Sequence, residues 1–331
     1  MTEALGGGVQ SAIAHFIESS QDFNHIVYGR ARDGEDTVTS GTSENWPAPT
    51  TLPAFAHGIR RAIRAADADV VHFHSSIAGA LRPVAPKAVR VVYSPHCYAF
   101  ERKDIRGPQR SAYRTTERLL STITDCVVAV SPHEAELARK LGARNVVTVS
   151  NLAPRGTFRP RHSPSSRSVA TVGRISAQKD PLLFAEIAAN DQTGLHFIWI
   201  GDGDPGLRAA LVESGVEVTG WRDQESIRAT LQGCGLYLHT AAWEASPMSL
   251  TEALEWGIPV LCRDNQSLRS LGYECVGNSA YEIGVAVSSY FTDVPYREHV
   301  LAAASTTTER LLGTPTETSL QQAYGSIGVQ V

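Results

Sequence analysis

Two clusters of residues in this sequence carry chemistry. Gly173-Arg174-Ile175-Ser176-Ala177-Gln178-Lys179-Asp180-Pro181 sets two cations beside a glycine, at what reads as a strand-to-helix turn. Glu244 and Glu252 follow, with seven residues between them, around the helix start Ser246-Pro247-Met248-Ser249. Guanidinium and ammonium groups bind anions, and so does a helix N-terminus, whose first N–H groups lack intrahelical partners. Carboxylates accept hydrogen bonds from sugar hydroxyls. Together they describe a pocket for a phosphate that carries a sugar.

The elements that must position these residues alternate between short apolar runs and helix-period segments, the pattern of a parallel α/β fold. In the first half, strands are predicted at 24–28, 70–73, 89–94, 126–130 and 146–149, with helices at 8–19, 52–66, 109–123 and 132–141. In the second half, strands fall at 169–172, 195–200, 216–219, 236–239 and 259–262, with helices at 181–189, 205–214, 224–233 and 249–256. Pro154, Pro160 and Pro164, with small polar residues among them, mark a linker between them, assigned to 156–166. The boundaries that follow are an N-terminal domain at 1–155, a second domain at 167–290, and a C-terminal region at 291–331. Gly6-Gly7-Gly8 opens the first helix, where glycine lets a ligand approach the backbone closely. Such a loop follows the first, central strand of a Rossmann-like sheet. Met1-Thr2-Glu3-Ala4-Leu5 is too short and too polar for an apolar strand of that kind. The expectation is that the strand's body, and the native start, lie upstream of Met1.

The chain has 331 residues, 42% of them hydrophobic, which suits two domains with separate cores. Its net charge of −4 gives no reason to expect nucleic acid. The cysteines (97, 126, 234, 262 and 275) show no metal-ligand spacing, so reduced thiols in a cytoplasm are expected. No segment approaches the ~18 apolar residues of a membrane helix. The expected location is cytoplasmic, with peripheral contact at the inner face of a membrane left open.

The motif G-R-I-x-x-x-K-x-P with E-x7-E resembles the signature of the retaining glycosyltransferases of family 4. Other elements match in order: Gly6-Gly7-Gly8-Val9, Val70-Val71-His72-Phe73-His74-Ser75, Ser94-Pro95-His96, Val130-Ser131 and Ile200-Gly201-Asp202-Gly203. The resemblance implies the GT-B architecture, two Rossmann-like domains facing each other across a cleft. It also implies transfer of a hexosyl unit from a nucleotide diphosphate sugar to a hydroxyl, with retention, in polysaccharide or glycolipid synthesis. Arg174 and Lys179 would then stabilise charge growing on the leaving diphosphate in place of a metal, so no metal and no cofactor are expected. Glu252 would bind the ribose hydroxyls, and Glu244 the transferred sugar. The N–H groups of Met248, Ser249 and Leu250 would hold the phosphates. Gly7, Gly8 and Gly173 would let the donor approach, His96 would point at its sugar, and Trp221 would stack on its base.

Several features admit other readings. His72 and His74 share a face of their strand, as a metal pair would, but no third ligand is in view. Asp202-Gly203-Asp204 has the form of a manganese motif, yet matches the family's turn before a helix. Arg110, Arg114 and Arg118 form a stripe on one helix face, suited to an anionic membrane or a lipid-linked acceptor, or simply to solvent. Residues 300–331 are poorer in charge and helix formers than the family's closing helices, which bears on whether they cross back to the first domain. A catalytically silent nucleotide-sugar-binding partner and a nucleotide-sugar epimerase of the same fold remain as alternatives.

Overall fold

The structure, a computed structural model, describes residues 1–31, 44–49, 51–149, 151, 158–159, 166–313 and 316–328. It divides into two compact units: Met1–Leu152 with Thr314–Val331, and Ala153–Gly313. Of the linker expected over 156–166, only 158, 159 and 166 are among the described residues, and Phe158 packs into the core of unit 2.

Unit 1 runs β1 (Thr2–Leu5), α1 (Gly7–Glu18), β2 (Ile26–Ala31), β3 (Glu44–Pro47), α2 (Leu52–Ala65), β4 (Val70–His74), α3 (Ser76–Ala80), β5 (Arg90–Ser94), α4 (Gly107–Leu120), β6 (Cys126–Ala129), α5 (Pro132–Lys140) and β7 (Val146–Thr148). The strands form one parallel sheet in the order β3-β2-β1-β4-β5-β6-β7. On α2, Phe55, Ile59, Ala62 and Ile63 recur at helical spacing and bury against the strand residues Val71, Phe73 and Tyr93. Met1–Leu5, expected to be only the tail of a central strand, does pair as a strand, four residues long. Thr2–Leu5 is an interior strand between β2 and β4, with Thr2 opposite Gly29 on one side and His74 on the other. The Met1 ammonium donates to His72 O at 2.8 Å, and His74 N donates to Met1 O at 2.9 Å. Backbone pairing between two established strands, rather than an apolar run, makes this segment a strand. It is short, however. Below it, Ile26–Tyr28 and Val70–His72 border a cavity of about 340 Å³ that Phe16, Trp46 and Tyr324 also line.

Unit 2 runs β8 (Ser168–Val172), α6 (Pro181–Ala189), β9 (His196–Ile200), α7 (Pro205–Glu213), β10 (Glu217–Val218), α8 (Gln224–Gln232), β11 (Leu236–His239), α9 (Met248–Glu255), β12 (Val260–Cys262), α10 (Gln266–Leu271), α11 (Ala280–Thr292) and α12 (Val294–Leu312). Its parallel sheet has the order β10-β9-β8-β11-β12. Core residues cover both faces, Ala170, Ile198 and Tyr237 on one and Val169, Phe197, Trp199 and Leu238 on the other. That is why its strands read as continuous apolar runs. Strand order reverses between β8 and β11, the switch point at which open α/β sheets bind ligands.

The C-terminal region is divided between the units. Thr306 and Thr308 donate their hydroxyls to the carbonyls of Ala302 and Ala304, four residues earlier, so the threonine-rich stretch is accommodated inside α12. After it, α13 (Thr316–Gly325) packs against α1, β6 and β7 of unit 1, burying Leu320, Ala323 and Tyr324.

Candidate active site

In unit 2 the chemistry-bearing residues gather where β8 and β11 end. Gly173 follows β8 with φ of 152°, a conformation that disfavours side chains, and a Cβ there would lie 3.1 Å from Lys179 Cε. Its carbonyl accepts the Trp199 indole N–H at 2.9 Å. The loop from Gly173 to Asp180 is tied to the loop after β11 by three bonds: Thr240 Oγ1 to Lys179 O, Ala242 N to Gln178 O, and Gln178 Nε2 to Trp243 O. Arg263 closes the same corner with an ion pair to Asp180 at 2.6 Å.

This framework presents Lys179 to Glu244, Nζ to Oε1 at 2.6 Å. Both side chains are largely buried, with 20% and 9% exposed. Burial would raise the Glu244 carboxyl, but the Lys179 ammonium, with His239 nearby, overrides it and holds the group at about 2. Burial disfavours the Lys179 cation, yet Glu244 more than compensates and raises its pKa. The pair is therefore charged across the neutral range. Arg174 is exposed, its guanidinium 5.7 Å from the centre of the Trp221 ring, and Trp221 is itself 62% exposed.

The helices differ at their starts. Asp180, Asp204 and Asp223 cap α6, α7 and α8 by accepting backbone N–H groups. At α9 the N-cap is Pro247, with no side-chain cap, so the N–H groups of Met248 and Ser249 keep the capacity to bind an anion. Ser249 Oγ accepts the Tyr237 hydroxyl at 2.9 Å, and Leu250 is fully buried. Glu252, one turn on, accepts Gln224 Nε2 at 2.9 Å, and burial raises its carboxyl.

Asp204 is used as the α7 cap, and Asp202 Oδ1 accepts Gly203 N, so the two aspartates of the manganese-like motif serve the turn. Among the described residues no group of three or more His, Cys, Asp or Glu side chains is arranged to hold a metal ion.

In unit 1 the glycine loop follows β1: Gly6 and Gly7 have φ of 146° and 55°, and a Cβ at Gly7 or Gly8 would meet nothing within 4 Å. His96 lies at the end of β5 in a left-handed conformation (φ 50°), and its Nε2 is 2.9 Å from His74 Nδ1. His72 stacks on His74 and contacts Ser94 Oγ at 2.8 Å and the Tyr324 hydroxyl at 3.1 Å. Burial lowers the pKa of all three histidines, that of His96 to about 4. They form a neutral cluster in which His74 is bonded to His96 and stacked on His72. Arg110, Arg114 and Arg118 are exposed on α4, whose buried contact is Glu117, paired with Arg82.

The sequence brought Arg174, Lys179, Glu244, Glu252, Gly173 and the start of α9 to one sheet edge, and the structure collects them there. It also adds Gln224, Tyr237 and His239, which sequence reasoning missed. Tyr237 and His239 are two apart on β11 and share its face, and a histidine in an otherwise apolar strand was the one available signal.

Two family models match the chain: a "Glycosyl transferase 4-like domain" over residues 11–151, and "Glycosyl transferases group 1" over residues 166–276. An uncharacterized 41.2 kDa protein in the cps region of Klebsiella pneumoniae is 25% identical over 293 residues, 81% of each chain. UDP-Gal:alpha-D-GlcNAc-diphosphoundecaprenol alpha-1,3-galactosyltransferase of Escherichia coli is 25% identical over 229 residues, 58% of this chain and 57% of its own. Among solved structures, Anabaena HepE in complex with UDP and glucose shares the fold at a TM-score of 0.71, with 14% identity over 98% of this chain and 97% of that one. With both units matched by glycosyltransferase models and built on the paired parallel sheets of this fold, the chain belongs to the GT-B glycosyltransferases and is a hexosyltransferase.

Proposed function

We propose that the enzyme moves a hexosyl unit, with retention, from a UDP-sugar to a hydroxyl of a glycan or lipid-linked acceptor in surface polysaccharide or glycolipid assembly. The observation that carries this is the Lys179–Glu244 pair at the switch point of unit 2, beside a helix start that has no side-chain cap. UDP is favoured because the similar galactosyltransferase uses UDP-Gal and the similar HepE structure holds UDP.

The bond that breaks joins the anomeric carbon to the β-phosphate oxygen, and its electrons pass to the diphosphate. Lys179, Arg174 and the N–H groups of Met248 and Ser249 meet that charge, which grows toward the transition state, so they lower the barrier more than they tighten ground-state binding. These groups do the work for which other transferases use a divalent ion. Glu252, steadied by Gln224, accepts the ribose hydroxyls, and Glu244 those of the hexose. The acceptor hydroxyl attacks on the face the leaving group vacates, and its proton goes to the departing phosphate oxygen. Gly7, Gly8 and His96 complete the donor contacts, and Trp221 lies against the base.

Among the described residues no helix is long and apolar enough to cross a membrane. A cytoplasmic, membrane-peripheral enzyme fits α4, where Arg110, Arg114 and Arg118 are exposed together with Tyr113 and Leu119.

The test is transfer from UDP-galactose or UDP-glucose to diphosphoundecaprenol-linked GlcNAc, in EDTA, with the anomeric configuration of the product read by NMR. A retained linkage at undiminished rate is expected. An inverted product, a metal requirement, or donor isomerisation without acceptor would each overturn the part of the reading it addresses.

A further inference from the structure

Lys179 cannot give its full strength to Glu244 and to a diphosphate at once. In the structure its Nζ donates to Glu244 Oε1 at 2.6 Å, and among the described residues the other nitrogen-bearing side chain within 4 Å of that carboxylate is His239. If Lys179 turns to the donor phosphates, a carboxylate with 9% of its side chain exposed is left without its cation, a costly state for a buried charge.

The fold holds a second partner in reserve. His239 ends β11, is 1% exposed, and lies under the carboxylate with Nε2 3.7 Å from Glu244 Oε1, too far for a hydrogen bond. That Nε2 is one of the few buried side-chain polar atoms among the described residues with no hydrogen-bond partner. The ring is enclosed, 1% exposed, and lies nearly parallel to that of Tyr237 with centroids 6.2 Å apart. Burial also keeps the imidazole neutral, and its tautomer with the proton on Nε2 offers an N–H without adding a charge of its own.

We propose that His239 is a positioning residue that receives Glu244 when the donor diphosphate draws Lys179 away, holding the carboxylate in place for the sugar. A shift of about 1 Å brings Glu244 within bonding distance of Nε2–H. The buried carboxylate then keeps a donor in both states, and an otherwise unused imidazole nitrogen acquires a function. The inference rests on the donor-site reading above.

The experiment measures UDP binding by calorimetry for the wild-type enzyme and for Lys179→Ala, His239→Phe, His239→Gln and the Lys179→Ala/His239→Phe double variant. Lys179→Ala weakens binding if the donor-site reading is right. His239→Phe is expected to bind UDP about tenfold more weakly, the worth of one bond to a charged group. His239→Gln, whose amide can still donate, stays within about threefold of wild type by the same scale. In the Lys179→Ala background Glu244 depends on His239 with or without UDP, so adding His239→Phe leaves affinity unchanged. A variant-free arm follows the ¹⁵N-histidine spectrum of the wild-type protein, where the His239 Nε2 signal moves on saturation with UDP. If the wild-type enzyme binds UDP and Lys179 matters, but His239→Phe binds equally well or the Nε2 signal stays still, the hand-over is wrong and the donor site stands. If UDP does not bind, or Lys179→Ala is silent, the donor-site reading falls and takes the hand-over with it.

Discussion

At the scale of single residues, Lys179 and Glu244 act on stability and on function, and the two can be separated. Lys179→Ala leaves a buried carboxylate unpaired and should cost unit 2 about 3 kcal/mol in denaturant unfolding. Adding Glu244→Gln removes the orphaned charge and should recover most of that stability while transfer stays lost. A double variant as unstable as the single one would show that the pair is not what Lys179 stabilises. Gly173→Ala makes a sharper point, because a methyl group must enter a left-handed conformation 3.1 Å from Lys179 Cε. It should raise the donor KM at least tenfold for a stability loss of about 1–2 kcal/mol. Arg174, Lys179, Glu244 and Glu252 were legible because the chemistry of a phosphorylated sugar restricts residue type and spacing together. His239, Tyr237 and Gln224 were not, since each matters only through a neighbour that the sheet or a distant helix start brings to it.

At the scale of elements, the ends of β4 and β5 carry a histidine cluster whose acid response follows from its shifts. His72, His74 and His96 are held below the ordinary histidine value by burial, His96 at about 4. Below about pH 6.5 the unfolded chain binds protons that the folded unit refuses, so stability is full above that value and falls as pH drops toward 4. Denaturation of unit 1 followed through Trp46 should show this loss, and His74→Gln should flatten it. An unchanged midpoint between pH 7 and 5 would contradict the assignment. The sequence located α6 and β11 to the residue, because an Asp-Pro start and an apolar run between polar flanks are local signals. It missed β3, whose Glu44-Asn45-Trp46-Pro47 has no apolar alternation and is tolerated as an edge strand. It read β1 as the tail of a strand, and the four residues that do pair are held by their two neighbours' backbones whatever their own polarity.

At the scale of the whole molecule, the chain returns at its end to the unit it began in. Leu320, Ala323, Tyr324 and Ile327 are buried, and the Tyr324 hydroxyl meets His72. A chain ending at Gly313 should therefore lose about 5 kcal/mol from unit 1, by the burial of those side chains, and leave unit 2 unchanged. Two resolved melting transitions, only one of them shifted, would establish this; a common shift would refute it. Length and the alternation of apolar runs with helical segments pointed to two α/β units, but the division of residues 291–331 between them depends on packing of side chains that no local pattern announces. The cavity of about 340 Å³ beneath β1 is open to solvent, and Trp46 lines it together with Phe16 and Tyr324. Trp46 is the one tryptophan of unit 1, so a small apolar solute that entered this cavity would be read in its emission, apart from the four tryptophans of unit 2.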